Sequence, residues 1–195
     1  MPVTINGDGH ISGLAVGGLP NGSVNADTLA SNAVTSAKLH DDAVVASKLP
    51  AGSIVKYQFT SSSTRTNITS TTTWTTFAGT QVDFTPTFSN SKLDIMWSFA
   101  LESDNNPNGL GFRIFRQSPI GGSDTQIAES YQHSHWGTGN WTGPGDIVLN
   151  WNDSPGVTTP VRYFVQGYRE TGNALYINAG SDPLGITMRV MEIKQ

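Results

Sequence analysis

The stretch 93-LDIMWSFAL-101 alternates large apolar residues with smaller or polar ones along its whole length. One side of an extended chain carries Leu93, Ile95, Trp97, Phe99 and Leu101. The other side carries Asp94, Met96, Ser98 and Ala100. A period of two is that of a β-strand with one face on a core. The segment therefore predicts a strand whose second face is more polar.

Shorter segments of the same kind follow and precede it, separated by clusters of Gly, Pro, Asn and Asp. They are 54–59, 112–116, 147–149, 161–166, 175–177 and 186–191. About ten short strands without a convincing long helix predict an antiparallel two-sheet β-sandwich, of the jelly-roll kind. The segment 162-RYFV-165 is apolar towards both sides, which suits a strand between its own core and a neighbouring subunit.

Composition supports a mainly β chain and excludes several classes of function. Charged residues make up 13% of the 195 residues, against about 25% in a typical domain, and Gly (21) and Pro (10) are frequent. The net charge of −4 argues against nucleic-acid or membrane partners. Cysteine is absent, which removes disulfides and thiolate metal sites. Without a signal peptide or an apolar span, we expect a soluble protein with no membrane insertion and no cofactor.

A second pattern occupies the N-terminal quarter, where 31-SNAVTSAKLHDDAVVASKLP-50 repeats itself every ten residues. Branched apolar residues recur at a strict step of five, at Leu14, Leu19, Val24, Leu29, Val34, Leu39, Val44, Leu49 and Ile54. A step of five places successive residues about 140° apart on an α-helix and on alternate faces of a strand. Neither a single long helix nor a flat strand would bury this series.

The repeat suits a chain that changes direction within each ten-residue unit, closed by Asn32, Asp41-Asp42 or Pro50-Ala51-Gly52. One such unit buries too little to fold alone, whereas copies wound around a shared axis bring their apolar residues together. We therefore predict a trimerisation stalk built on Val24, Leu29, Val34, Leu39, Val44, Leu49 and Ile54. A flexible linker and a pair of short amphipathic helices remain alternatives.

The segments 4-TINGDGHISGLAVGGLP-20 and 24-VNADTLASNAVTSAKLHDDAVVASKL-49 resemble the opening of short fibre proteins of tailed, especially marine, bacteriophages. In that family, decapeptides of the form A-V-T-x-x-K-L-x-D run into a compact β domain. The resemblance covers residues 4–55, and the rest only in general pattern. The ending 186-ITMRVMEIKQ-195 resembles the closing strand of fibre-tip domains, which look like trimeric jelly rolls of the TNF and C1q type.

This resemblance implies a homotrimer in the virion, assembled in the host cytoplasm. Residues 1–20 would attach to other virion proteins, 21–53 would form the repeat stalk, and 54–195 would form a β-sandwich head. The head would bind a host surface polysaccharide or protein. The alternative is a structural virion component, such as a capsid decoration fibre or a tail or baseplate connector. A sugar-binding module unrelated to phages is a third class, but it would not need the repeat.

The segment 131-YQHSHWGTGNWTGPGD-146 is the most unusual of the predicted head. It supplies the candidate receptor-binding residues Tyr131, His133, His135, Trp136, Trp141 and Asp146. Aromatic side chains on loops offer a large contact area at low entropic cost, and Trp151 and Asp153 extend the same chemistry. The alternative is that these aromatics pack the sandwich or a subunit interface.

Catalytic and metal chemistry find little support. His133 and His135 would point the same way in an extended chain, an arrangement that some phage fibres use for metal. A lone His-x-His without a third ligand is more typical of ordinary exposed loop histidines, so no metal is predicted. The carboxylates Asp104, Asp124, Glu129, Asp146 and Asp153 show no spacing that singles out a pair, and a G-x-S-x-G motif is absent. We predict that the chain is not an enzyme.

Overall fold

The computed structural model describes residues 4–5, 7, 11–12, 18–19, 21–69, 73–103, 108–132, 145–171, 175–177 and 185–195. The chain divides into two compact units, Met1–Val45 and Ala46–Gln195. In the first unit, strands β1 (Thr4–Ile5) and β2 (Ile11–Ser12) pair antiparallel. The division falls inside the predicted stalk, so the last repeat belongs to the larger unit.

The repeat segment is built from single turns. Short 3₁₀ helices span Ala26–Thr28, Ser36–Lys38 and Ala46–Lys48, ten residues apart. Between them the amide of Ala33 donates to the carbonyl of Ala30 at 2.9 Å, and the amide of Ala43 donates to that of His40 at 3.0 Å. One turn therefore occurs about every five residues, the spacing of the apolar series. Over these residues the chain changes direction within each unit, as predicted, and forms no longer amphipathic helix.

Four positions with positive φ explain the polar and glycine residues of the repeat. They are Gly22 (83°), Asn32 (63°), Asp42 (64°) and Gly52 (86°), again ten residues apart. Only Gly, and to a lesser extent Asn and Asp, adopts this left-handed conformation at low cost. The predicted closing residues Asn32, Asp42 and Gly52 therefore end each unit for a conformational reason.

The larger unit consists of strands joined by turns and loops. They are β3 (Ile54–Ser62), β4 (Thr66–Ile68), β5 (Thr75–Thr76), β6 (Val82–Phe84), β7 (Lys92–Ser103), β8 (Asn108–Gln117), β9 (Asp124–Gln132), β10 (Gly145–Asp153), β11 (Val161–Thr171), β12 (Leu175–Ile177) and β13 (Ile186–Ile193). All the strand pairs of this unit are antiparallel. All seven segments predicted as strands are strands.

The strands form two sheets. In the first, β3 pairs with β13, β13 with β7, and β7 with β10, while β4 and β12 continue the lines of β3 and β13. In the second, β5 and β6 lie along one side of β11, followed by β8 and β9. The pairs β3/β4, β5/β6 and β12/β13 can each be counted as one interrupted strand. The larger unit then has eight strands, numbered 1 to 8 along the chain, and its two sheets have the strand orders 1-8-3-6 and 2-7-4-5. This is an eight-stranded jelly-roll topology.

The core lies between the sheets and includes the predicted apolar face of β7. Leu93, Ile95, Trp97 and Phe99 are all buried. The indole of Trp97 donates to the carbonyl of Thr80 at 2.9 Å, so its polar atom is satisfied inside the core. The side chain of Leu101 is not among those described. The predicted two-faced strand is therefore confirmed over residues 93–99.

The last repeat is fastened to the sandwich by the C-terminus. The ammonium group of Lys194 donates to the carbonyls of Ser47 (2.8 Å) and Leu49 (2.5 Å). Its backbone carbonyl accepts from the amide of Gly52 (2.8 Å), and its amide donates to the carbonyl of Ser53 (3.0 Å). We call these four bonds the Lys194 tether. They explain why the third 3₁₀ helix belongs to the larger unit.

Among the described residues, the structure contains no helix of the length and apolarity that a membrane span requires.

Candidate functional site

Most of the predicted receptor-binding residues lie outside the described part of the chain. His133, His135, Trp136 and Trp141 fall in the segment 133–144. Tyr131 lies in β9, opposite Gly111, and Asp146 lies in β10, opposite Ala100, but their side chains are not among those described. Strands β9 and β10 are edge strands of different sheets.

The apolar series of the repeat is exposed at every described position before Leu49. Val24, Leu29, Val34, Leu39 and Val44 are between 45% and 58% exposed. Leu49 is half-buried, Ile54 is exposed, and Leu14 lies outside the described residues. A turn-built segment has no second layer of its own with which to cover such side chains. The result is a row of branched apolar groups that meets water on each single chain.

Strand β3 presents its aromatic residues away from the core. Tyr57 and Phe59 are each 57% exposed, whereas Lys56 and Gln58 point inwards. Lys56 donates to the carbonyl of Thr85 at 2.7 Å and Gln58 donates to that of Asp83 at 2.8 Å, so both reach across to the edge of the second sheet. This is the reverse of the usual half-buried strand, in which apolar residues face the core.

Two further exposed apolar residues lie on opposite faces of β10, at the opposite edge of the same sheet. Val148 is 59% exposed and Trp151 is 41% exposed. Beside Trp151 a pocket of about 260 Å³ opens between the edge strands β9 and β10. Its lining residues are Phe112, Ile114, Ala128, Glu129, Val148, Leu149, Asn150 and Trp151. The lining of this pocket combines apolar side chains with the polar residues Glu129 and Asn150.

The segment 162–165 does not present an apolar face to a neighbour, contrary to the interpretation of its sequence. Tyr163 and Val165 are buried in the core. Phe164 lies on the outer face but is only 4% exposed, because its ring stacks on Phe115 at 5.4 Å between centroids. The exposed apolar residues of the described head are on β3 and β10, in the other sheet.

A buried polar cluster joins the two sheets near β10. Asp153 accepts two bonds from Arg116, at 2.7 and 2.9 Å, and one from the hydroxyl of Tyr163 at 2.8 Å. Burial, together with the neighbouring Asp153 carboxylate, raises the pKa of Tyr163 far above its usual value. The tyrosine is therefore a neutral donor that holds Asp153. This arrangement gives Asp153, once a candidate for orienting sugar hydroxyls, a structural role.

The other described carboxylates that were considered for catalysis are also held by the chain. Glu129 accepts from Gln126 at 2.7 Å and lies 3.3 Å from the guanidinium of Arg113. Asp124 accepts from Gln117 at 2.8 Å. Asp104 lies outside the described residues. Among the side chains that the structure describes, no three His, Cys, Asp or Glu residues group together in a way that would hold a metal ion.

Comparisons with known proteins give no family for the chain. No family model and no curated protein matches it. Among solved structures, Eiger TNF from S. frugiperda is 8% identical, with a TM-score of 0.38 over 67% of this chain and 92% of that one. The VP2 subviral particle of infectious bursal disease virus is 13% identical, with a TM-score of 0.39 over 71% of this chain.

The chain spans 37% of the length of that VP2 chain, and 36% of the matching chain in the T13 particle of the same virus. Similarities this low establish neither a family nor a function. The fold assignment therefore rests on the chain's own strand order.

Proposed function

We propose that this chain is a homotrimeric fibre protein of a tailed-phage virion, which attaches to the host through its β-sandwich head. In this proposal residues 1–20 bind other virion proteins, residues 21–53 form the stalk, and residues 54–195 form the head. The chain functions in the virion by binding and not by catalysis.

The observation that carries the proposal is the exposed apolar row of the repeat. Five branched side chains stay about half-exposed on the single chain, at a constant spacing and with a turn between neighbours. Exposed apolar area costs about 25 cal/mol per Å², so a long row of this kind favours association. Three parallel copies bring the rows together along one axis and cover them. A stalk that forms only between chains is the architecture of a fibre.

The head supplies a surface suited to display. Its two sheets pack on a common core. Segments carried on a packed scaffold of this kind are where binding residues concentrate. The proposed receptor contacts are Tyr131, His133, His135, Trp136, Trp141 and Asp146, acting on a polysaccharide or a protein of the host surface.

Two measurements on the full chain test the two parts of this proposal. Light scattering coupled to size-exclusion chromatography should give the mass of a trimer, and a monomeric mass at micromolar concentration would contradict the fibre. Purified protein added before infection should compete with virions for adsorption to host cells. The variant Trp136→Ala/Trp141→Ala should compete less well while it remains trimeric.

Imaging of the intact virion distinguishes receptor binding from a structural role. We expect the chain at a distal, outward position, with residues 131–146 at the surface. Density that places this segment against another virion protein, together with normal adsorption of virions that lack the chain, would instead assign it to decoration or connection.

A further inference from the structure

We infer that the Lys194 tether stabilises the last repeat on the single chain, and that it thereby makes association of the stalk dependent on a completed head. The last repeat here means residues 46–53, from the third 3₁₀ helix to the residue before β3. The inference rests on the proposed function, since it concerns how the stalk of that fibre forms.

Two repeats with the same local structure differ in burial. The amide of Leu39 donates to the carbonyl of Ser36 at 3.2 Å, and the amide of Leu49 donates to that of Ala46 at 3.2 Å. Each leucine directly follows a 3₁₀ helix of three residues. Leu39 is nevertheless 47% exposed, whereas Leu49 is half-buried. The difference therefore comes from outside the turn itself.

A lysine ammonium group accounts for this difference. In the earlier unit Lys38 donates to the carbonyl of Ala33 at 2.9 Å, so its bond stays within the repeat. The last unit instead receives a lysine from the C-terminus, because Lys194 donates to the carbonyls of Ser47 and Leu49. Charge-assisted hydrogen bonds are stronger than neutral ones. They offset the loss of backbone freedom that one repeat cannot offset with its own small buried area.

Lys194 lies beside a turn that the C-terminal segment also holds. Its ammonium is 5.7 Å from the centre of the Phe88 ring, within the range of a cation–π contact. Glu192, which is fully buried, fixes that turn. It accepts bonds from the amides of Thr87 (2.7 Å) and Phe88 (3.0 Å) and from the hydroxyl of Ser91 (2.6 Å). Residues 192–194 thus hold both the turn and the last repeat.

Strand β3, which directly follows the last repeat, depends on the same segment. Among the described strands β3 pairs with β13 alone, and β13 lies between β3 and β7. A chain is synthesised from its N-terminus, so residues 186–195 are the last to be added. Before they are in place, β3 lacks its partner strand and the last repeat lacks its tether. An unfinished chain therefore has no repeat held by the head.

The tether favours association because it acts before the copies meet. A segment that is already held in its bound conformation loses less entropy on association than a segment that is free to move. The last repeat carries Leu49 of the apolar row and leads into Ile54, the final position of that row. Holding it in place should therefore stabilise the trimer, although Lys194 is not part of the row.

Hydrogen exchange on the full chain tests the effect on the single chain. The background Val34→Ser/Val44→Ser is used because it should weaken association. In it the amide of Leu49 should exchange several-fold more slowly than that of Leu39. Adding Lys194→Met, which keeps a long apolar side chain, should speed exchange at Leu49 about tenfold, the size expected for losing charge-assisted hydrogen bonds. Exchange at Leu39 should not change.

Lys92→Met is the matched control. Lys92 is exposed and stands beside Ile193 in the strand register, and its ammonium bonds to no residue that the structure describes. This variant should leave exchange at both leucines unchanged. Equal exchange at Leu39 and Leu49 before Lys194→Met is added, or no effect of that change on Leu49, would overturn the inference.

Sedimentation over a dilution series tests the effect on association, in chains with the natural valines. Trimers of Lys194→Met should dissociate after less dilution than trimers of the wild type and of Lys92→Met. A chain that ends at Ile193 keeps all of β13 and should show the same or a larger effect. Unchanged dissociation of both variants would contradict the dependence of the stalk on the tether.

The outcomes separate this inference from the proposed function. A wild-type trimer that Lys194→Met leaves unaffected would contradict the inference and leave the fibre standing. A wild-type monomer would contradict the fibre and the effect on association together. Slow exchange at Leu49 that depends on Lys194 would, in that case, still support the effect of the tether on the single chain.

Discussion

Gly167 shows how closely the sandwich core is packed at the level of one residue. A Cβ atom at this position would fall well inside contact distance of the Phe77 ring, which is fully buried. Gly167 has an ordinary extended backbone as part of β11, so its requirement is for space and not for conformation.

We therefore expect Gly167→Ala to destabilise the fold by about 1–3 kcal/mol, the usual cost of overpacking. Chemical denaturation should show this loss of stability as a lower midpoint of unfolding for the variant. Phe77→Leu removes the clashing part of the ring, so the double variant should lose less stability than the sum of the two single variants. Strict additivity would contradict a steric cause.

The Asp83–Arg162 pair predicts a pH effect. Arg162 donates to both carboxylate oxygens, at 2.6 and 2.8 Å, and this hydrogen bonding holds the pKa of Asp83 below 3.8. Since the folded pKa is the lower one, the pair stabilises the fold above pH 3.8 and its contribution is lost as the pH falls through the folded pKa.

Both side chains are substantially exposed, so the expected contribution is small, about 0.2–1 kcal/mol. Asp83→Asn should lower Tm slightly at pH 7, and the difference from the wild type should shrink as the pH falls below 3.8. Asp124→Asn is the matched control, because its carboxylate accepts from an amide and not from a guanidinium. An equal Tm loss at both pH values would refute the ionic origin.

At the scale of the element, the turns of the repeat depend on one left-handed residue each. Gly52 has φ of 86°, and a Cβ there would meet nothing within 4 Å. Gly52→Ala should therefore cost about 1–2 kcal/mol through backbone strain alone. Gly52→Asn should cost less, since Asn32 holds the equivalent position of another unit. Thermal unfolding of the full chain measures both, and equal losses would contradict a conformational cause.

The period-two pattern of residues 93–101 was enough to predict β7, because strict alternation over nine residues does not fit the 3.6-residue period of a helix. Strand β9 was not predicted, since Asp124–Gln132 is largely polar and pairs only along one side. The Thr-rich strands β4 and β5 are too short to show a period at all.

The candidate surface was only partly visible in the sequence. The segment 54–59 was identified as a strand, but its alternation does not say which face meets the core. That choice is set by pairing with β13, more than a hundred residues away, which turns Tyr57 and Phe59 outwards. The apolar row of the repeat was predictable because its spacing is constant, and constant spacing is readable without tertiary information.

At the scale of the whole molecule, the apolar row should matter for association and not for the fold of one chain. Val34 and Val44 are more than half-exposed on the single chain, so Val34→Ser/Val44→Ser should change the unfolding of the sandwich by less than about 0.5 kcal/mol. The trimer of this variant should dissociate at a markedly lower denaturant concentration, or after less dilution, than the wild-type trimer.

Sedimentation over a concentration series measures that dissociation. Thr35→Ala/Ser47→Ala, at polar positions of the same units, is the matched control and should dissociate like the wild type. Unchanged association of the valine variant would show that the row is not an interface.

The Lys194 tether has a mechanical consequence for a molecule held at one end. A pulling force that travels along the repeat reaches the sandwich at Ser53, just before β3. Lys194 bonds to Ser47 and Leu49, which precede Ser53 in the chain. It also bonds to Gly52 and to Ser53 itself, so the load divides between the covalent chain and the C-terminal segment. Tension is thus shared by β3 and β13 together, and the edge strand β3 is not peeled away alone.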